Sequence, residues 1–175
     1  MSGIKGNKGI TLMVLAITVI ILMVLGGVSI LGGTEVIKRV KTENIVTNMI
    51  MLKSKSKIYA EEVNSKVWDL SSEEKSEKKP QIFQDEYYMI QEDISDIPAL
   101  DELSSDVTDG GYECYLITSQ TLDKMGLSDI NDGQNYVVVY NESDYTKLDI
   151  IYKVGTEYND NTYYSLTKLQ TKMGE

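Results

Sequence analysis

The sequence predicts an α+β protein: a long N-terminal helix, part transmembrane and part amphipathic, packed against a small antiparallel β-sheet head. Three observations carry that prediction. Residues 10–31 contain no charged side chain. The apolar residues that follow recur at helical spacing. The C-terminal third holds short β-branched and aromatic runs separated by polar turns. The chain divides accordingly into a leader (1–9), a transmembrane or assembly helix (10–31), its amphipathic continuation (32–67), an acidic loop region (68–111) and a sheet-bearing head (112–175).

The leader is short and carries Lys5 and Lys8. As a helix, residues 10–31 would be about 33 Å long, enough to cross the hydrocarbon core of a bilayer. Their polar members are Thr11, Thr18 and Ser29, whose hydroxyls can bond back to the preceding turn and are tolerated in lipid. Secretory signals have shorter apolar regions, usually followed by an A-x-A-like cleavage site. No such site follows here, although the small residues at Gly32 and Gly33 leave a late release open. Basic residues flank the segment on both sides, with Lys38, Arg39 and Lys41 beyond it, so flanking charge does not set an orientation.

After the Gly32-Gly33 pair, Thr34 can cap a new helical segment with Glu35 in its first turn. Ile45, Met49, Leu52, Ser56, Tyr59 and Val63 then fall at alternating steps of four and three. That spacing is one stripe of an amphipathic helix. The opposite side is expected to carry Lys53, Lys55, Lys57, Glu61 and Glu62.

The next segment, Asp69 to Pro80, is polar and charged and reads as a linker or exposed loop. Ile90, Ile94, Ile97 and Leu100 are spaced as one helical face or as irregular turns, and Pro98 ends any helix crossing it. From Tyr112 the signals sharpen. Tyr112 to Ile117 has strand content, after the turn Asp109-Gly110-Gly111. Ser119 can cap a short helix through Met125 that ends at Gly126. Tyr136 to Tyr140 and Leu148 to Val154 read as strands joined by a polar turn, and Tyr163 to Leu169 as an edge strand or terminal turn. The expectation is a sheet of about three strands whose apolar face the amphipathic helix covers.

Composition excludes several kinds of function. The chain has no histidine and a single cysteine, Cys114, so it lacks the commonest general base, any internal disulfide and any cysteine-cluster metal site. Its net charge of −10 is segregated: residues 32–66 hold seven Lys/Arg against four Asp/Glu, residues 67–175 eight against twenty-three. A nucleic-acid-binding head would be basic, so no nucleic-acid partner is expected. Asp129, Asn131 and Asp132 resemble part of a calcium loop, but the acidic spacing is one residue short and no Glu closes it. The alternative is a plain turn before the Tyr136 strand. Cys114 reads as a buried structural thiol. The twelve tyrosines read as half-buried strand residues with wet hydroxyls, or else as a sugar-stacking surface. Glu61-Glu62 and Glu73-Glu74 are sequence neighbours that face apart and form no acid/base pair. No enzymatic activity and no cofactor are expected.

The run Lys8-Gly9-Ile10-Thr11-Leu12, after a short basic leader, resembles the cleavage and methylation segment of type IV pilins and pseudopilins. The resemblance is close from Lys8 to about Leu31 and continues in pattern to Val67. The head runs QTLDKMGL, NYVVVYN and LDIIYKVG are similar in outline to pilin-like heads. What it implies is a prepilin peptidase cutting after Gly9 and methylating Ile10, with Lys8, Thr11 and Leu12 as the recognition flank. It further implies assembly with other pilin-like subunits through the N-terminal helix. Before assembly the chain would be held in membrane lipid as a single-pass protein of the cell membrane, its head extracellular. One residue departs from the pattern. Val14 stands where the family usually carries a Glu that pairs with a neighbour's terminal amine. An unpaired charge in an apolar interior costs several kcal/mol, so that pairing is an assembly force. Its loss points to a minor pilin or pseudopilin of a type IV pilus or type II secretion-like filament. The alternative is a membrane-tethered extracellular binding protein that does not polymerise.

Overall fold

The computed structural model describes residues 8–130 and 135–174; of residues 8–14, 16 and 20–34 it describes the backbone alone. The chain forms two compact units, residues 1–41 and 42–175.

In the first unit, the described residues belong to helix α1 (Lys8–Lys66). α1 passes Gly26-Gly27 and Gly32-Gly33 without interruption, so the expected fresh start at Thr34 is not observed. A helical glycine costs roughly 1 kcal/mol relative to alanine, which weakens a long hydrogen-bonded ladder without having to break it. Thr18 Oγ1 donates to the Leu15 carbonyl at 2.8 Å, the back-bonding expected of a hydroxyl within an apolar helix.

The second unit is built on a five-stranded antiparallel sheet in sequence order: β1 (Ile90–Glu92), β2 (Tyr112–Leu116), β3 (Tyr136–Asn141), β4 (Leu148–Tyr158) and β5 (Asn161–Ser165). The three expected strands are its centre, and β1 and β5 extend the two edges. All six residues of β3 are buried, which requires cover on both faces. Tyr136, Val138 and Tyr140 point to one core, with Tyr115, Ile150 and Tyr152. Val137 and Val139 point to a second, with Cys114 and Ile151. Alternation along a strand produces this split.

The first core is roofed by the C-terminal half of α1. Its predicted stripe of Ile45, Met49, Leu52, Ser56, Tyr59 and Val63 is buried as expected. Small residues at Ser56 and Ala60 let the sheet approach, and Tyr140 Oη donates to the Ser56 carbonyl at 2.9 Å. Asp149 of β4, fully buried, accepts from Lys53 Nζ of α1 at 3.4 Å. It also accepts from the Thr167 amide at 3.3 Å, at the start of α5 (Leu166–Gly174). One carboxylate therefore fastens two helices to the sheet.

Two expectations for residues 68–111 are corrected. Asp69 to Pro80 is mostly helix rather than loop, belonging to α2 (Ser72–Tyr87). Ser71 and Glu74 form a capping box at its start, satisfying amides that a helix end otherwise leaves unpaired. An interior proline such as Pro80 costs about 3 kcal/mol. That cost is offset farther along by Phe83 and Tyr87, which are buried in the first core. The following residues form turns at Ile94–Asp96 and Leu100–Glu102 and the one-turn helix α3 (Ser105–Thr108). Ile97, Leu103 and Val107 from this stretch cover the second core. The acidic segment is therefore the layer over the sheet's other face. A short α4 (Ser119–Met125) ends at Gly126 as expected, although its cap is Thr118 rather than Ser119.

Register breaks once, between Ile151 and Thr156 of β4. Gly155 lies there at φ +75, where a Cβ would come within 2.6 Å of Thr162 Cγ2. Only glycine meets both the positive φ and the close approach of β5.

Phe83 is fully buried, with Tyr87, Tyr115, Tyr140 and Tyr145 around it at centroid distances of 4.8–6.2 Å. Phe83→Ala should lower unfolding free energy by about 3–5 kcal/mol. Urea denaturation followed by tyrosine fluorescence checks this, and a loss below 1 kcal/mol would place Phe83 outside the cooperative core.

Candidate functional site

Lys8, Gly9, Ile10, Thr11 and Leu12 form the first turn and a half of α1; their side chains lie outside the described residues. The expectation of cleavage there rests on the sequence alone: a glycine followed by an apolar run. Among the described residues no helix is long and apolar enough to cross a membrane. Most side chains of the expected span, 10–31, are not among those described.

Farther along, α1 has a feature that the sequence reading missed. At 100° per residue, Thr47, Ile50, Met51, Ser54 and Ile58 fall on the side opposite the buried stripe. Ile50, Met51 and Ile58 are 41%, 36% and 48% exposed, so this outer face is apolar and wet. Its hydroxyls are internally satisfied: Thr47 Oγ1 donates to the Glu43 carbonyl at 2.8 Å and Ser54 Oγ to the Ile50 carbonyl at 3.0 Å. Asn44, Met51 and Ile58 recur every seven residues, with Thr47 and Ser54 between them. That is the spacing with which one helix seats against another. The outer side was expected to be charged. Lys53 turns toward Asp149, Lys57, Glu61 and Glu62 are exposed as expected, and Glu61 lies on the same side as Ile58 in the next turn, so the uncharged strip is confined to residues 47–58. The signal was present as the seven-residue repeat, hidden behind the stronger inner stripe.

The remaining candidates fare differently. Asp129 is exposed in a turn after α4, and Asn131 and Asp132 lie outside the described residues. Among the described residues no cluster of three metal-ligating side chains occurs. Cys114 is buried, and burial, reinforced by Glu92 and Glu113, pushes its thiol up to about 12. It is a packing residue with no thiolate at neutral pH.

Seven tyrosines are buried: Tyr59, Tyr87, Tyr115, Tyr136, Tyr140, Tyr145 and Tyr152. Several hydroxyls expected to be wet are held by protein acceptors instead. Tyr87 Oη donates to Glu62 at 2.6 Å and Tyr115 Oη to Glu113 at 2.6 Å, while Tyr145 Oη donates to the same Glu113 oxygen. A sugar-stacking surface needs exposed rings, and these rings are committed to the core.

With this geometry in view, the chain was compared with known proteins: no protein-family model, no curated protein and no solved structure matches it.

Burial raises the pKa of Tyr59, Tyr87, Tyr115, Tyr140 and Tyr145 above the ordinary phenol value. The folded state then keeps protons that the unfolded chain releases above about pH 10. The stability these groups contribute is complete below that pH and is lost as pH rises past it. Absorbance at 295 nm should show these five phenols ionising only together with loss of tertiary structure. Ionisation of all twelve near pH 10 in a folded protein would contradict their burial.

Proposed function

We propose that the chain is a non-enzymatic pilin-like structural subunit, a minor pilin or pseudopilin of a type IV pilus or type II secretion-like filament. Residues 10–31 hold it in the cell membrane before assembly, with the acidic head outside the cell. The observation that carries the reading is the Lys8–Leu12 run feeding an uncharged segment that continues into α1. The structure adds support of a physical kind. The C-terminal half of α1 is committed to the head on one face and on the other carries a short strip, Thr47 to Ile58, of exposed apolar and hydroxyl side chains between Glu43 and Glu61. A helix that only roofs a sheet has no need of that strip; a helix that packs against other helices does.

The processing enzyme in this reading is a prepilin peptidase, cutting between Gly9 and Ile10 and methylating Ile10. The partners are other pilin-like subunits. Val14 favours a second reading, in which the chain remains a single-pass tethered binding protein, because the charge pair with a neighbouring subunit's terminal amine, expected from the pilin resemblance, has no carboxylate at this position.

Two measurements test the proposal. Intact mass and N-terminal sequencing of the native protein should show a chain beginning at methylated Ile10. An uncut chain, or one beginning beyond Ser29, sinks the pilin reading. Met51→Glu, on the wet side of α1, should leave the urea midpoint nearly unchanged, since exposed substitutions usually shift stability by under about 0.5 kcal/mol. The same change should cut recovery of the chain in sheared surface filaments several-fold. Undiminished recovery would assign the outer strip no role in assembly.

A further inference from the structure

Away from α1, a cavity of about 400 Å³ opens between α2 and the loops flanking β2 and β3. Small-molecule sites occupy roughly 300–1,000 Å³. One wall is a single face of α2, presenting Lys75 and Lys79 with the Ser72 and Ser76 hydroxyls. The facing wall presents Glu113, Glu142 and Ser143, and Tyr145 forms the floor.

The β-side wall stands on a hydrogen-bonded frame. Asn141, buried at the end of β3, donates through Nδ2 to the carbonyls of Val107 and Asp109 at 3.2 and 2.7 Å. Its Oδ1 accepts from the amides of Ser143 and Asp144 at 3.0 and 2.9 Å. One side chain thus locks the two loops to each other. Gly111 lies at φ +103, a backbone conformation that favours glycine, with the exposed Glu142 side chain lying over it. The Tyr145 ring stacks beneath on Tyr140 at 15°, and its hydroxyl and that of Tyr115 both donate to Glu113.

Glu113 is already held by two phenols, but the two walls are not ion-paired to each other. Among the described residues no ion pair within 4.0 Å joins either lysine to either glutamate. Lys79 Nζ lies 4.0 Å from the Tyr145 ring centroid. Burial there holds the Lys79 amine below its ordinary value, partly offset by Glu113 and Glu142. A lone anion entering this space would meet two carboxylates, and a lone cation two ammoniums. A neutral sugar would find the outer face of Tyr145 covered by Lys79. A ligand bearing both charges a few ångströms apart satisfies both walls.

We propose that this cavity binds a small zwitterion of the α-amino-acid class, its carboxylate on Lys75 and Lys79 and its ammonium on Glu142. The site is independent of the pilin reading, and neither stands or falls with the other.

The test is a titration of the full chain in a non-ionic detergent, followed by amide chemical shifts. The probes are L-alanine, propionate and ethylamine. Alanine should shift residues 72–79 and 142–145 saturably, and each single-charge probe should bind at least about tenfold more weakly, as expected for loss of one charge-assisted contact. Lys79→Gln and Glu142→Gln should each weaken alanine binding by a similar factor while leaving the remaining amide spectrum unchanged. Propionate binding as tightly as alanine would make this an anion site and overturn the proposal. So would an absence of saturable shifts with alanine, or full alanine affinity in both variants.

Discussion

Everything in residues 42–175 depends on the burial of β3. Tyr136 to Tyr140 offers apolar side chains to both faces of the sheet, so neither face can be left to water. Each large buried side chain is worth about 1.5–3 kcal/mol, and leaving one face open would forfeit several of them at once. The chain meets this demand with two unlike covers. Regular helix, from α1 and α2, lies over the tyrosine face, where rings need depth. Short turns and a single helical turn lie over the valine face, where shallow side chains can be capped by Ile97, Leu103 and Val107. The tyrosine side also carries polar cargo. Its hydroxyls cannot be buried unpaired without a cost of about 1–3 kcal/mol each, and Ser56, Glu62 and Glu113 are positioned to receive them.

That division explains which parts of the fold could be read in the sequence. The inner stripe of α1 and the central strands are dictated by side-chain period, and period survives in the sequence without any tertiary information. The expected three strands are the sheet's interior for that reason. β1 was hidden because Ile90–Glu92 is only three residues long and belongs to a sheet edge, where pairing with β2 rather than pattern decides its conformation. α2 was hidden differently. Its composition is that of a solvated loop, and Pro80 argues against helix locally. The signal for it was Ser71 with Glu74 three residues on, a capping pair whose meaning depends on Phe83 and Tyr87 finding the core.

The candidate site divides along the same line. The proposed site at Lys8 to Leu12 rests on sequence alone because a peptidase would read a linear segment, where a pattern and a site coincide. The outer strip of α1 was not legible in that way. An apolar residue is informative only relative to what it fails to bury, and Ile50, Met51 and Ile58 became conspicuous only once Ile45, Met49 and Leu52 were seen to occupy the core. Cys114 and the tyrosines went the other way. They were chemistry-bearing in the sequence, and burial removed them from chemistry.

The cavity beside α2 is where the two readings of the acidic head part company. A head that served only as a soluble cap needs charge on its surface for solubility, distributed without regard to partners. The head places Glu113 under two phenols and beside Lys79, and the exposed Glu142 side chain lies over Gly111. Glu113 of β2 is taken up by the two phenols and Lys79 lies over the Tyr145 ring, yet among the described residues no ion pair joins Lys75 or Lys79 to Glu113 or Glu142. Asn141, buried, ties the loop before β2 to the turn after β3, so it fixes the β-side wall. The same side chain closes the turn after β3 and satisfies carbonyls at the end of α3, so the frame of one wall of the cavity is a by-product of how the sheet's second face is covered.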